Sequence, residues 1–265
     1  MRKSAAVLLA GLTAMAFAAA STHATDLSVR DLTAKLFQAD RAKPPHFSGL
    51  DLRERDLSGL DFKGATIADS NLFGADLSRS DLSHAKLKGC HLDRVTIIGT
   101  RFDGADLSET SVLRPSTFST LAAPASEAAS FAGTNLTRAR LFGRFSRMSF
   151  RGAKLAGATL APFNRTGFIE HIWRTEFTGA DLSNADLSGA DLTYVLLSFA
   201  RLRDANLSGA VLRKADLSRA DLTNADLTGA DLTEADLDGA ILTGARGLET
   251  ALGLDTARNV DKMIR

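Results

Sequence analysis

Eight cations, Arg138, Arg140, Arg144, Arg147, Arg151, Lys154, Arg165 and Arg174, lie between residues 138 and 174, where Glu170 is the only acid. Phe163, Phe168, Ile172 and Trp173 are interleaved with the later ones. Guanidinium groups fork onto anionic oxygens and aromatic rings offer apolar area, so the mixture suits an anionic polymer, a nucleic acid or a protein surface. Arg144, Arg147, Arg151, Arg165, Trp173 and Arg174 are the residues a partner would meet. The structural alternative is that the aromatics plug an opening in the fold while the arginines solvate its outer wall.

Other chemistry is sparse. His171, beside Glu170 and Trp173, is the one histidine in an irregular stretch, and so the one candidate base for a hydrolase. The chain has no Gly-x-Ser-x-Gly elbow, His-Glu-x-x-His pair, Cys-x-x-Cys pair or phosphate loop. Cys90 is the single cysteine and cannot pair within the chain. Its neighbour His91 is expected on the opposite side of the wall, so the two cannot share a metal. Dense Asp residues suggest calcium, but calcium-binding β-helices need adjacent glycines and this sequence has none. No metal or cofactor is expected.

The element that must position these groups is set by a five-residue beat. Leu, Phe, Ile or Val returns at every fifth position from Phe47 to Val112, fourteen centres in all, and again fourteen times from Phe177 to Leu242. A helix needs apolar residues three and four apart and a strand needs alternation by two. Five fits neither. If the centre points inward, the residue two before it does as well, and that position holds Ala at 180, 185, 190 and most later frames. Gly, Asn and Ser at the end of each frame suit a turn. Four sides and four turns close a square coil of about twenty residues, which stacks residue n on residue n+20.

Ala180-Asp181-Leu182-Ser183-Asn184 and Ala225-Asp226-Leu227-Thr228-Gly229 resemble the A-(D/N)-L-x-x motif of the pentapeptide-repeat family. The resemblance covers 45–114 and 175–246, with weaker frames at 131–161. It implies an all-β solenoid, a right-handed quadrilateral β-helix, and implies shape more firmly than activity. Residues 115–130 read as a loop leaving the wall and 162–174 as an aromatic and basic insertion. About thirty-five frames give some nine coils and a rod on the order of 40 Å long.

Arg2 and Lys3 precede an uncharged, Ala-rich stretch to Thr22, and Thr22-His23-Ala24 supplies a cleavage site, so 1–24 reads as a signal peptide. The product is then exported, periplasmic or secreted, with no stable membrane insertion once the signal is cleaved. Without Arg2 and Lys3, thirty basic residues face 31 acidic ones, a net charge of −1. That balance favours neither a nucleic-acid binder nor an acidic mimic.

Stability should come from inward ladders such as Leu182, Leu202, Leu222 and Leu242. Outward columns place Arg201 between Asp181 and Asp221, and Asp81 between Asp61 and Arg101, so arginines interrupt like charges. Both open ends call for caps. Residues 25–44 supply a helix with Ser28 and Asp31 at its start and Leu32, Leu36 and Phe37 on its apolar face. Residues 247–265 supply another, on Leu254, Ala257, Val260, Met263 and Ile264; Val260, Met263 and Ile264 offer a homodimer surface.

The sequence therefore favours an exported, non-enzymatic scaffold or protein-interaction module, acting on a protein or an anionic envelope polymer. The alternative, implied by the quinolone-resistance branch of the family, is a DNA mimic that binds and protects a topoisomerase.

Overall fold

The computed structural model describes residues 27–120, 123–162 and 174–265. The predicted leader lies outside these residues, as do Phe163, Arg165, Phe168, Glu170, His171, Ile172 and Trp173. Among the described residues, no helix is long and apolar enough to cross a membrane.

One frame shows why the chain coils. In residues 206–210 every backbone N–H has a partner. Asn206 donates to Ala185 O on the preceding coil at 2.9 Å, and Leu207 to Asp226 O on the next at 2.8 Å. Gly209 also reaches the next coil, at Thr228 O, while Ala210 donates back to Leu207 O at 3.0 Å and closes the corner. The remaining donor, Ser208 N–H, is taken by the Asn206 side chain at 3.0 Å. Asp or Asn is thus placed to satisfy a donor that would otherwise lack a protein acceptor. The residue two after the centre has positive φ in frame after frame, +63° at Gly209 and +59° at Asn184. These corners turn the chain.

Parallel bridges stack the frames into four faces. On face 1, His46, Thr66, Lys86, Asp106, Asn135, Lys154, Asp186, Asn206, Asp226 and Arg246 form ten levels. Face 2 runs from Asp51 to Leu252, face 3 begins at Asp56 and ends at Arg258, and face 4 runs from Asp61 to Ile264. Nine spacings of roughly 4.8 Å give a length of about 43 Å. The lumen is filled by the centres and by the small residues two before them; Leu182, Leu202, Leu207, Ala205 and Ala210 are all buried.

Two departures keep the rod continuous. Offsets between bridged residues are 20 in the first block, but Arg101 pairs with Ser130 and Ser149 with Asp181, so the chain carries additional residues between Ser116 and Ser130 and before Glu176. Between them Ser130 pairs with Ser149, one residue short of a full coil. The missing residue falls in a four-residue frame, 140–143, closed by Gly143 at φ +150°. A Cβ there would lie 2.9 Å from Pro115 Cδ, so only glycine fits this shortened corner. On face 4 the centres of these levels are phenylalanines. Phe102, Phe131 and Phe150 stack face to face with centroids 4.8 and 4.7 Å apart, the spacing of the strands themselves. The short strands β1 (Ser111–Leu113) and β2 (Arg140–Phe142) pair in parallel on face 2 across this break.

The N-terminal helix α1 spans Val29–Gln38; Ser28 Oγ accepts from Asp31 N–H at 3.1 Å and donates to its carboxylate at 2.6 Å. Leu32 and Leu36 are buried, whereas Phe37, expected on the same face, is 90% exposed.

The expected C-terminal helix is not formed. Residues 247–264 instead make a further coil of six-residue frames: Gly247-Leu248-Glu249-Thr250-Ala251-Leu252, Gly253-Leu254-Asp255-Thr256-Ala257-Arg258 and Asn259-Val260-Asp261-Lys262-Met263-Ile264. The bridge offset accordingly grows from 20 at Arg246 to 21 at Leu252, 22 at Arg258 and 23 at Ile264. The first residue of each frame has positive φ, and the Thr250 and Thr256 hydroxyls accept from Gly229 and Glu234 N–H on the level above. Apolar residues three apart mimic a helical stripe, which explains the misreading. Val260 and Met263 pack against the core, so the helical surface expected to carry a homodimer does not exist.

Outward columns follow the expected charge pattern with one change. Arg201 meets Asp181 at 3.2 Å and Arg101 meets Asp81 at 3.8 Å, but Asp221 is met by Arg203, at 2.9 Å. The stacked pair Asp61 and Asp81 is also bridged by Arg41, at 2.8 and 3.0 Å.

Replacing Leu207 by Ala should lower unfolding free energy by about 2–5 kcal/mol, because adjacent levels hold the cavity open; urea denaturation measures it. A loss near zero would contradict the packed lumen. Hydrogen bonds from the Thr228 hydroxyl and N–H, helped by Arg246, hold the Asp226 carboxyl below its ordinary value of 3.8, and Ser58 does the same for Asp56. Groups depressed in the fold stabilise it above their unfolded pKa and cease to do so as pH falls through the folded value. The urea midpoint should therefore stay level from about pH 7 to 5 and fall below about pH 4.

Candidate functional site

Face 3 between levels 4 and 5 is where the wall opens. Ser116 ends the upper part of its bridge column and Arg144, which pairs with Glu176, begins the lower part; no bridge joins Ser116 to Arg144 among the described residues. Faces 1, 2 and 4 remain bridged at these levels. The first addition leaves the wall at the opening, and the second rejoins it one level below. Loop 117–129 leaves directly after Ser116, and the second addition returns to the wall at Thr175 and Glu176. Thr175 is buried and its hydroxyl donates to Leu160 O at 2.6 Å, which closes the carbonyl left by the chain's departure.

A groove of about 500 Å³ lies at the opening, lined by Pro115, Ser116, Thr117, Phe118, Ser119, Thr120, Arg144, Ser146 and Arg147. Arg144 Nε is held by Glu176 at 3.3 Å. Arg147 occupies a corner with φ +63°, stacks on Phe118 with its guanidinium carbon 4.9 Å from the ring centroid, and donates to Ala123 O at 3.4 Å. Loop 117–129 is itself tied back, since Glu127 accepts from Ser119 N–H and Oγ at 2.9 and 2.8 Å and its carbonyl accepts from Gly99. Those two Ser119 bonds, with the charge of Arg79, hold the Glu127 carboxyl below its ordinary range. Each guanidinium is thus anchored by a partner among the described residues, a preorganised arrangement for anionic oxygens.

Of the six residues singled out in the sequence, the four described ones do not all line the groove. Arg144 and Arg147 share the groove. Arg151 is exposed and lies on face 4, one residue past the Phe150 centre. Arg174 lies with its guanidinium carbon 5.7 Å from the Tyr194 ring centroid, and its buried Nε has no hydrogen-bond partner among the described residues. Arg165 and Trp173 lie outside the described residues, and so does His171. Sequence reading missed Phe118 and the hydroxyls of Ser116, Thr120 and Ser146. Phe118 follows the centre position, where most frames carry Ser or Thr, and an aromatic in that slot is the signal that marks it.

Cys90 is buried and its thiol donates to Ile67 O at 3.0 Å, whereas His91 is exposed and pairs with Ser111 Oγ at 3.4 Å. Burial pushes the Cys90 thiol up to about 12. Among the described residues no cluster of three His, Cys, Asp or Glu side chains could hold a metal.

Eight copies of the pentapeptide-repeat model match residues 46–83, 75–111, 174–209 and 205–244. The chain belongs to the pentapeptide-repeat family, and the right-handed winding expected above is implied by that membership. No curated protein matches it. Among solved structures it is similar to HetL, a pentapeptide-repeat protein involved in heterocyst differentiation regulation in Nostoc sp. strain PCC 7120, at 28% identity over 90% of this chain and 99% of that one, with a TM-score of 0.43. QnrB1, a plasmid-mediated fluoroquinolone resistance protein, is 21% identical over 79% of this chain and 89% of its own, with a TM-score of 0.39. A thylakoid-lumen pentapeptide-repeat protein of Arabidopsis thaliana is 28% identical over 52% of this chain and 68% of that one, with a TM-score of 0.20.

Since the thiolate is the reactive form, Cys90 should resist a thiol reagent such as dithionitrobenzoate at pH 8 in the native state and react with one equivalent on unfolding. Stoichiometric labelling of the native protein would contradict its burial.

Proposed function

We propose that this protein is an exported, non-enzymatic interaction module whose rod holds the opened stretch of face 3 toward an anionic partner, either a protein or an envelope polymer. The observation that carries this reading is the coincidence of three features at one place. Among the described residues the ladder opens on one face only, loop 117–129 leaves the wall at the opening, and two anchored guanidiniums line it. Loops held by a rigid scaffold are a common place for binding. Export rests on the leader-like residues 1–24, and the absence of catalysis on a sequence whose Ser, Asp and Asn residues are absorbed by the repeat.

A DNA mimic needs a bare acidic face. In the second block Arg201, Arg203, Arg213 and Arg246 each pair with an Asp on a neighbouring level, which works against the alternative that this protein protects a topoisomerase. A gyrase-protection assay on the mature chain should accordingly be negative.

Affinity capture from the native compartment tests the site. Replacing Arg144 and Arg147 together by Glu should remove the retained partner, while Arg151→Glu, on the neighbouring face, should leave it. An unchanged partner set with the double variant, or fractionation of the protein with the cytoplasm, would overturn the proposal.

A further inference from the structure

We infer that the opening on face 3 is an oxyanion site that takes a phosphoryl group; the inference rests on the functional reading above and names the chemistry of the ligand.

In a regular frame three N–H groups cross between adjacent levels, those of the centre, of the corner residue two after it and of the residue before the next centre; at the opening the corner donor, Ser119 N–H, is taken by Glu127. The centre residue donates downward, as Ile97 does to Ser116 O, and the residue before the next centre donates upward, as Ser116 does to Val95 O. At the opening the equivalents of these two are Thr117 N–H and Arg144 N–H, and neither has a hydrogen-bond partner among the described residues. Thr117 is only 6% exposed. Buried backbone donors are nearly always satisfied, and an unpaired one is costly. The two acceptors released with them are the carbonyls of Pro115 and Arg144.

The same opening holds the Arg144 and Arg147 guanidiniums and the hydroxyls of Ser116, Thr120 and Ser146. Ser119 is not counted as a donor, because its hydroxyl proton goes to Glu127. Two carboxylates stand nearby. Glu176 holds Arg144 Nε and Glu127 is spent on Ser119, so each already has donors of its own. What remains is a surplus of donors from two backbone amides and two forked cations. A carboxylate, with two oxygens, uses few of them. A phosphoryl group presents three oxygens in a tetrahedron, matches the guanidinium fork, and can lie over a pair of amides as it does at other backbone anion sites. The carbonyls of Pro115 and Arg144 suit a hydroxyl carried on the phosphate or on the alcohol it esterifies, and Phe118 with Pro115 supplies an apolar side for that alcohol.

The test is amide NMR on the full chain at about 150 mM NaCl, an ionic strength that screens diffuse surface binding. Inorganic phosphate and glycerol 3-phosphate are titrated separately, which distinguishes a free-phosphate site from one for a phosphate ester. Saturable shifts of the Thr117 and Arg144 amides are expected with at least one of them. Arg144→Gln and Arg147→Gln should each weaken binding by about tenfold or more, the loss of a charged hydrogen bond. Arg219→Gln should leave it unchanged, since Arg219 is another corner arginine stacked on a ring, that of Phe199, but outside the opening. Amides that do not move, or that move equally with sodium chloride alone, would overturn the inference. So would an Arg219 variant that loses as much affinity as the other two. Partner capture that still depends on Arg144 and Arg147 in the absence of any phosphate response would reject the phosphoryl ligand while leaving the interaction surface in place.

Discussion

Vertical register is the constraint on which the molecule depends. Each level borrows hydrogen bonds from the levels above and below, so a frame can form only where the next coil presents its carbonyls at matching heights. The device that keeps register is the corner, one residue per frame in the left-handed region. Glycine enters that region freely, and other residues do so at some cost. Arg79, Arg94, Arg114, Arg147, Tyr194 and Lys214 nevertheless occupy corners. These are also the positions where cations and rings meet: Arg94 over Phe73, Arg147 over Phe118 and Lys214 over Tyr194. The corner that sets the fold is therefore also where the rod displays its chemistry.

Register survives the two additions because the chain rejoins its bridge columns after each. Bridges resume at Ser130 after the first and at Glu176 after the second, while the lumen through these levels is carried by the ring stack of Phe102, Phe131 and Phe150 and by Phe145 against Phe177, 5.3 Å apart. Rings separated by one strand spacing give a column that does not depend on the continuity of any single face. Face 3 can then open while faces 1, 2 and 4 stay bridged at these levels.

Much of this is legible in the residues, for a physical reason. A centre such as Leu207 and its companion Ala205 point inward in every coil, so the lumen writes its period directly into the sequence. The coil's end is less legible. Leu254, Ala257, Val260 and Met263 are spaced by three, which fits a helical face as well as a six-residue frame; the repeated Gly247-Leu248 and Gly253-Leu254 starts, with Thr250 and Thr256 three residues after each glycine, are the discriminating signal. The groove is illegible for a different cause. It arises from bonds that are not made between Ser116 and Arg144, a property of how levels meet after a one-residue deletion at Gly143. Arg144 and Arg147 stand out in the sequence as charges, but their grouping apart from Arg151 and Arg174 follows only from which face each frame occupies.

The most direct test of the account is a disulfide scan across the second addition. Residues 151 and 183 are 32 apart in sequence, and Gly152 N–H donates to Ser183 O at 2.9 Å, which places the pair one above the other on face 4. One strand spacing, roughly 4.8 Å, lies within the range a disulfide spans. In a Cys90→Ser background, the Arg151→Cys, Ser183→Cys double variant should oxidise to an intramolecular disulfide with unchanged circular dichroism. Failure to oxidise, or oxidation only between chains, would mean that register is not carried past the addition, and would contradict the rod on which the site is built.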